Sequence, residues 1–184
     1  MKEISLHILD LVQNSIRAEA TRIGVYISED TLKDTLSVTI EDNGCGMTPE
    51  VAHTVQNPFV TSRTTRRVGL GVPLFAAGCE HCDGSFNLNS EQGKGTTLTG
   101  SYRHSHIDRP PLGDIADTML ILIGGNPAIR FCYRHSVNAQ EYELDTGQVQ
   151  QLLGEVPLDS PEVIAFLQDF LKNNESELYG GIEQ

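Results

Sequence analysis

The chain has 184 residues, 39% of them hydrophobic, and a formal net charge of −12 at pH 7. This length accommodates one domain with a buried core, or one domain and a small appendage, and the acidic excess argues against nucleic acid or anionic lipid as the main partner. No apolar run approaches the roughly 18 residues of a membrane span, and Met1 to Ser5 lacks the features of a signal peptide, so the sequence reads as a cytoplasmic protein with neither a nucleic-acid nor a membrane partner.

The charge is uneven. Met1 to His104 carries 9 basic and 12 acidic residues, whereas Ser105 to Gln184 carries 4 basic and 13 acidic ones. Two segments with different roles are expected, 1–104 and an acidic extension 105–184. The 4 cysteines, Cys45, Cys79, Cys82 and Cys132, are too scattered for a disulfide scaffold. Cys79 and Cys82 have CxxC spacing around His81, but no second pair closes a tetrahedral metal site. A structural or incidental role is favoured over redox chemistry or metal binding.

In chain order, Ile4, Ile8, Leu11, Val12 and Ser15 form one helical stripe within Met1 to Ala20, and Asp10, Asn14 and Arg17 form a polar stripe beside it. Alternation predicts strands over Arg22–Ser28 and Thr35–Glu41, expected to pair as a hairpin across their short polar turn. Asp42-Asn43-Gly44-Cys45-Gly46 then breaks the sheet, and Thr48-Pro49 starts a helix. Pro58 to Val68 is irregular and basic. Val72–Cys79 reads as a helix, and Ser85–Ser90 and Thr96–Arg103 as strands around a turn at Glu91–Gly95. Arg109-Pro110-Pro111 marks a junction. Beyond it come a helix over Leu112–Ile123, a hairpin of Ala128–His135 with Gln140–Leu144, a short helix over Thr146–Leu153 and a helix over Ser160–Leu171. The polar tail from Asn173 is expected to fray. The implied fold class is α+β: a mixed or antiparallel sheet with helices on one face, a two-layer sandwich with a small C-terminal α+β extension.

Four polar or glycine-bearing constellations occur in order. Asp10 and Asn14 project from one helix face, where a carboxylate could orient water and an amide oxygen could join the ligands of Mg²⁺. Asp42-Asn43-Gly44-Cys45-Gly46-Met47 follows a strand. Its glycines permit close approach to a flat ligand, and its aspartate can accept from an exocyclic amine. Thr61-Ser62-Arg63 through Gly69-Leu70-Gly71 feeds a helix N-terminus, which suits an anion. It matches neither a P-loop nor a Rossmann fingerprint. Gly93-Lys94-Gly95-Thr96-Thr97 joins two strands. Taken singly, each has an ordinary explanation as a solvated helix face, a capped turn or a hairpin.

Together they resemble the ATP-binding domain shared by DNA gyrase, the heat-shock chaperone, sensor histidine kinases and MutL, the Bergerat fold, over residues 1–104. The resemblance places the family's Mg²⁺ ligand on Asn14 and its adenine-reading aspartate on Asp42, with Gly44, Gly46 and Met47 in the first glycine box. Asn57-Pro58-Phe59 and Thr61-Ser62-Arg63 resemble the lid. Gly69, Leu70 and Gly71 match the triphosphate box, with Arg63, Arg66 or Arg67 meeting phosphate charge. Thr96 matches the threonine that supports the aspartate, with Thr97 as the alternative register. ATP and Mg²⁺ are the implied cofactors.

The chain departs from the pattern at Asp10, where family members that hydrolyse ATP usually carry glutamate. The carboxyl is retracted by roughly 1.5 Å, and a displacement near 1 Å can cost about 10²-fold in rate. Sensor kinases carry a phosphoacceptor histidine on a helical hairpin before this domain. Here the pattern starts at residue 1, so that module is expected to be missing, and ordinary roles are expected for His7, His53, His81, His104, His106 and His135. The resemblance implies an ATP-dependent protein kinase or regulator acting on a separate partner in signalling. A slow ATPase using Asp10, or a nucleotide-dependent binding module without turnover, are the alternatives. Oligomeric state is left open, a dimer included.

Overall fold

A computed structural model of the protein describes residues 3–56 and 70–180. The chain order is α1 (Ile4–Arg17), β1 (Arg22–Asp30), β2 (Thr35–Asp42), α2 (Pro49–Gln56), α3 (Gly71–His81), β3 (Phe86–Glu91), β4 (Gly95–Arg103), α4 (Ile115–Gly125), β5 (Arg130–Val137), β6 (Gln140–Asp145), α5 (Thr146–Leu153) and α6 (Pro161–Gly180). Alternation decides the strands. Ile23, Val25 and Ile27 of β1 and Leu36, Val38 and Ile40 of β2 turn inward and are buried, while Ser28, Ser37 and Thr39 take the other face. Thr39 and Thr99 hydrogen-bond to each other across that outer face at 3.1 Å.

The sheet order is β3-β4-β2-β1-β5-β6. β1 and β2 form the expected antiparallel hairpin, and β2 continues antiparallel to β4. β5 joins the other side of β1 in parallel, from Arg22 against Arg130 to Glu29 against Val137, and β6 folds back on β5. The α+β sandwich with a mixed sheet is therefore present, and one hydrophobic core runs from Ile4 to Leu178 through both halves of the chain. Strands from either side of the expected boundary near residue 104 pair directly.

The Pro-Pro junction bridges the halves at the helix layer. No side chain caps α1 at Glu3. Instead the amides of Ile4 and Ser5 donate to the carbonyls of Pro111 and Leu112 at 2.9 and 2.8 Å, satisfying two of the donors that a helix start leaves unpaired. α4 then packs beside α1 and α6 beside α4.

One expectation is corrected. The segment from Asn173 onward does not fray before Gly180: α6 runs through it, with Leu178 buried. The apolar stripe Val163, Leu167, Leu171 and Leu178 outweighs the polarity of the residues between. Among the described residues, no helix is long and apolar enough to cross a membrane.

Candidate functional site

A cavity of about 510 Å³ opens between α1, the turn after β2, and strands β3 and β4. Asn14, Asp42, Gly46, Met47 and Thr96 line it, and Leu11, Ile40, Val51, Leu88 and Leu98 supply apolar walls. Three segments far apart in sequence thus bring an amide, a carboxylate and a hydroxyl to one concave surface, which is the usual make-up of a small-molecule site.

Asp42 ends β2 and is held on both oxygens. Ser15 of α1 donates to its Oδ2 at 2.6 Å and the Gly44 amide donates to Oδ1 at 2.9 Å. Each oxygen keeps a lone pair for a further donor. Asn14 is half-buried at the wall, and its Oδ1 accepts from Arg17 Nη1 at 2.8 Å. Arg17 also lines the cavity.

The floor is an interlock of two turns. Gly93 N–H donates to the Cys45 carbonyl at 2.8 Å, and Met47 N–H donates to Ser90 Oγ at 2.9 Å. Gly46, at φ +62, and Gly95, at φ +112, have positive φ; a Cβ would lie 2.0 Å from the Glu91 carbonyl oxygen in the first case and 1.9 Å from that of Asp42 in the second. Only glycine fits at either contact.

The register separates the two threonines. Thr96 stands opposite Asp42 in the β2–β4 ladder and faces the cavity, whereas Thr97 stands opposite Glu41 on the other face. Thr96 Oγ1 lies 2.8 Å from Ser90 Oγ.

The remaining expected residues fall elsewhere. Gly44 supports Asp42 without lining the cavity. Asp10 is exposed and stands against the start of α3, where a Cβ on Gly71 would lie 3.2 Å from its own Cβ. Leu70 is largely exposed at the N-cap of α3. Asn57, Pro58, Phe59, Thr61, Ser62, Arg63, Arg66, Arg67 and Gly69 lie outside the described residues. Cys79 and Cys82 are buried in the core; burial pushes the Cys79 thiol up to about 11 and that of Cys82 upward as well.

A family model described as histidine kinase-, DNA gyrase B- and HSP90-like ATPase matches residues 2–104. The chain belongs to this family. Sporulation kinase B of Bacillus subtilis is 33% identical over 93 residues, covering 50% of this chain and 22% of the kinase. The sensor protein kinase FleS of Pseudomonas aeruginosa is 33% identical over 92 residues, covering 50% and 23%. The match thus spans less than a quarter of either relative's length. Among solved structures, the Aquifex aeolicus MutL ATPase domain complexed with ADP aligns over 100% of this chain and 99% of its own, with TM-score 0.56 and 14% identity. That likeness shows a shared fold extending beyond residue 104.

Sequence reasoning missed Ser15, Arg17 and Ser90 as site residues. It also missed a second polar cluster at the far end of β1. There His135, fully buried, lies 3.1 Å through Nε2 from Glu29 and 3.0 Å through Nδ1 from Glu175. Tyr133 and Tyr142 both donate to Glu175 at 2.6 Å, Tyr179 donates to Glu29, and His104 Nε2 lies 2.8 Å from Glu29. His135 is the centre of a buried ion cluster, a structural role, because two carboxylates from distant segments converge on it.

Proposed function

We propose that the chain binds ATP with Mg²⁺ in the 510 Å³ cavity and uses the nucleotide to phosphorylate or regulate a separate protein partner. The observation that carries this is the meeting of Asp42 and Asn14 on one cavity wall lined by apolar residues. The apolar walls suit a flat base, and Asp42, already oriented by Ser15 and Gly44, accepts from its exocyclic amine. All the proposed contacts lie in residues 1–104, the ATP-binding unit, and none in the acidic extension 105–184.

The donor set fits Mg²⁺ in one way. Among the described residues no group of three or more His, Cys, Asp or Glu is placed to hold a metal. An ion here takes the Asn14 amide oxygen from the chain and the rest of its oxygens from phosphate and water. The Asn14 oxygen keeps a second lone pair for the ion beside its bond from Arg17, and the Arg17 guanidinium at the cavity wall suits a phosphate. Bound Mg²⁺ would neutralise charge on the phosphates. Arg63, Arg66 or Arg67, and the backbone of Gly69, Leu70 and Gly71, are assigned to the phosphates on the family resemblance alone.

The kinase relatives support a phosphoryl acceptor on a protein. Slow hydrolysis with Asp10 as base is the second reading, supported by the position of Asp10 against Gly71 at the start of α3. Two measurements test the proposal. ATP with Mg²⁺ at a hundred times Kd should stabilise the fold by about 2.7 kcal/mol; no rise in melting temperature up to millimolar ATP contradicts binding. With γ-labelled ATP, label on a partner protein supports transfer, and free labelled phosphate that disappears in Asp10→Asn supports hydrolysis instead.

A further inference from the structure

Ser90 stands next to the last residue of β3, opposite Thr96 of β4, and does not itself line the cavity. Its hydroxyl has three polar neighbours: Met47 N–H at 2.9 Å, the Gly95 carbonyl oxygen at 3.1 Å and Thr96 Oγ1 at 2.8 Å. A serine hydroxyl has one proton and two lone pairs. Met47 N–H can only donate, so it occupies one lone pair. Gly95 O can only accept, while Thr96 can do either.

Two arrangements of the single Ser90 proton are open, toward Gly95 O or toward Thr96 Oγ1. In one, Ser90 donates to Gly95 O and Thr96 donates to Ser90, so Thr96 shows the cavity only lone pairs. In the other, Ser90 donates to Thr96, and the Thr96 proton is free to point into the cavity. We infer that Ser90 is a positioning residue for base selection: it sets whether Thr96 offers a proton or a lone pair to the base beside Asp42. The inference rests on the nucleotide reading above.

The chemistry favours the second arrangement when a 6-aminopurine is bound. A base held by the Asp42 carboxylate must bring an N–H there. In a 6-aminopurine the ring position next to that amine, N1, carries a lone pair and needs a donor. Thr96 is the cross-strand neighbour of Asp42 on the same wall, so its proton is the one at hand, directly or through a water. In a 6-oxopurine both signs reverse, with an oxygen facing Asp42 and a proton on N1. Ser90 accepts from Met47 while donating to Thr96, so it also ties the loop below the base to the group that reads it. Polarisation along this chain strengthens each bond.

The test uses calorimetric titration of the full chain with ATP and with 1-deaza-ATP, in which N1 is replaced by C–H. The wild-type protein should prefer ATP. Ser90→Ala should weaken ATP by about fivefold and the deaza analogue by less than about twofold, the scale of one neutral hydrogen bond. Ser90→Thr, which keeps the hydroxyl, should restore the difference, and in a Thr96→Val background Ser90→Ala should weaken both nucleotides equally. Ser90→Cys serves in place of the alanine variant if that does not fold. Equal losses for the two nucleotides, or a wild-type protein without preference between them, overturn the role of Ser90 and leave nucleotide binding intact. Failure of the wild-type protein to bind ATP at all overturns the underlying reading instead.

Discussion

Asp42 gains its usefulness from what holds it. The Ser15 hydroxyl, only 4% exposed, donates to one oxygen and the Gly44 amide to the other, so the carboxylate enters the cavity in a single orientation. Ser15→Ala removes a charge-assisted bond worth about 1.5–3 kcal/mol. We predict that this variant folds, melts at a lower temperature by circular dichroism and binds ATP at least tenfold more weakly. Ser15 was open to detection in the sequence, because a hydroxyl at the fifth place of the stripe Ile4, Ile8, Leu11, Val12 needs a buried partner. Ser90 was not. It lies in a strand beside a turn, and only the cross-strand register shows which atoms surround it. The choice between Thr96 and Thr97 has the same character, since a one-residue shift moves a side chain to the other face of the sheet.

At the scale of elements, α6 is fastened to the sheet by charge as well as by its leucines. Burial alone would raise the Glu29 carboxyl, but hydrogen bonds from His135, Tyr179 and His104 outweigh it and hold Glu29 at about 2. Burial alone would lower His135, but Glu175 and Glu29 hold it at about 9. Burial would also raise Glu175, which His135 instead lowers. The histidine contribution is complete below its ordinary 6.5 and is lost as pH rises through about 9. The glutamate contribution is complete above the ordinary 4.5 and is lost as pH falls through about 2. Stability should therefore be greatest between these two ordinary values and fall on either side. Urea midpoints from about pH 2 to pH 10 check this. His135→Gln leaves two carboxylates buried without their cation and should cost about 3–5 kcal/mol; a loss below 1 kcal/mol contradicts the account. Patterns and helix-start signals located every described element but not every bound: β1 runs on through Glu29 to Asp30, which read as a turn, α4 starts at Ile115 rather than Leu112, and α6 continues to Gly180. The cluster was invisible because Glu29, His135 and Glu175 come from β1, β5 and α6, and no local pattern links them.

For the molecule as a whole, the acidic second half completes the core that the first half begins. β5 covers the edge of β1, and the carbonyls of Pro111 and Leu112 satisfy the start of α1. A fragment ending at His104 would expose that edge and the α1 face that packs on α4. We predict that it shows no cooperative thermal unfolding; a cooperative melt with unchanged ATP binding contradicts this. The composition shift at residue 104 was legible, but the strand order that joins the halves was not, because β5 reaches β1 only through the α4 crossover on the helical face.

The central claim is that a purine nucleotide sits against Asp42. Calorimetric titration of ATP with Mg²⁺ into the wild-type protein and into Asp42→Asn tests it most directly, because asparagine keeps the size while removing the charge that accepts from the base. The account predicts binding by the wild-type protein and at least tenfold weaker binding by the variant, the scale of one charge-assisted hydrogen bond. Equal affinities for a folded variant, or no binding by the wild-type protein, would contradict it.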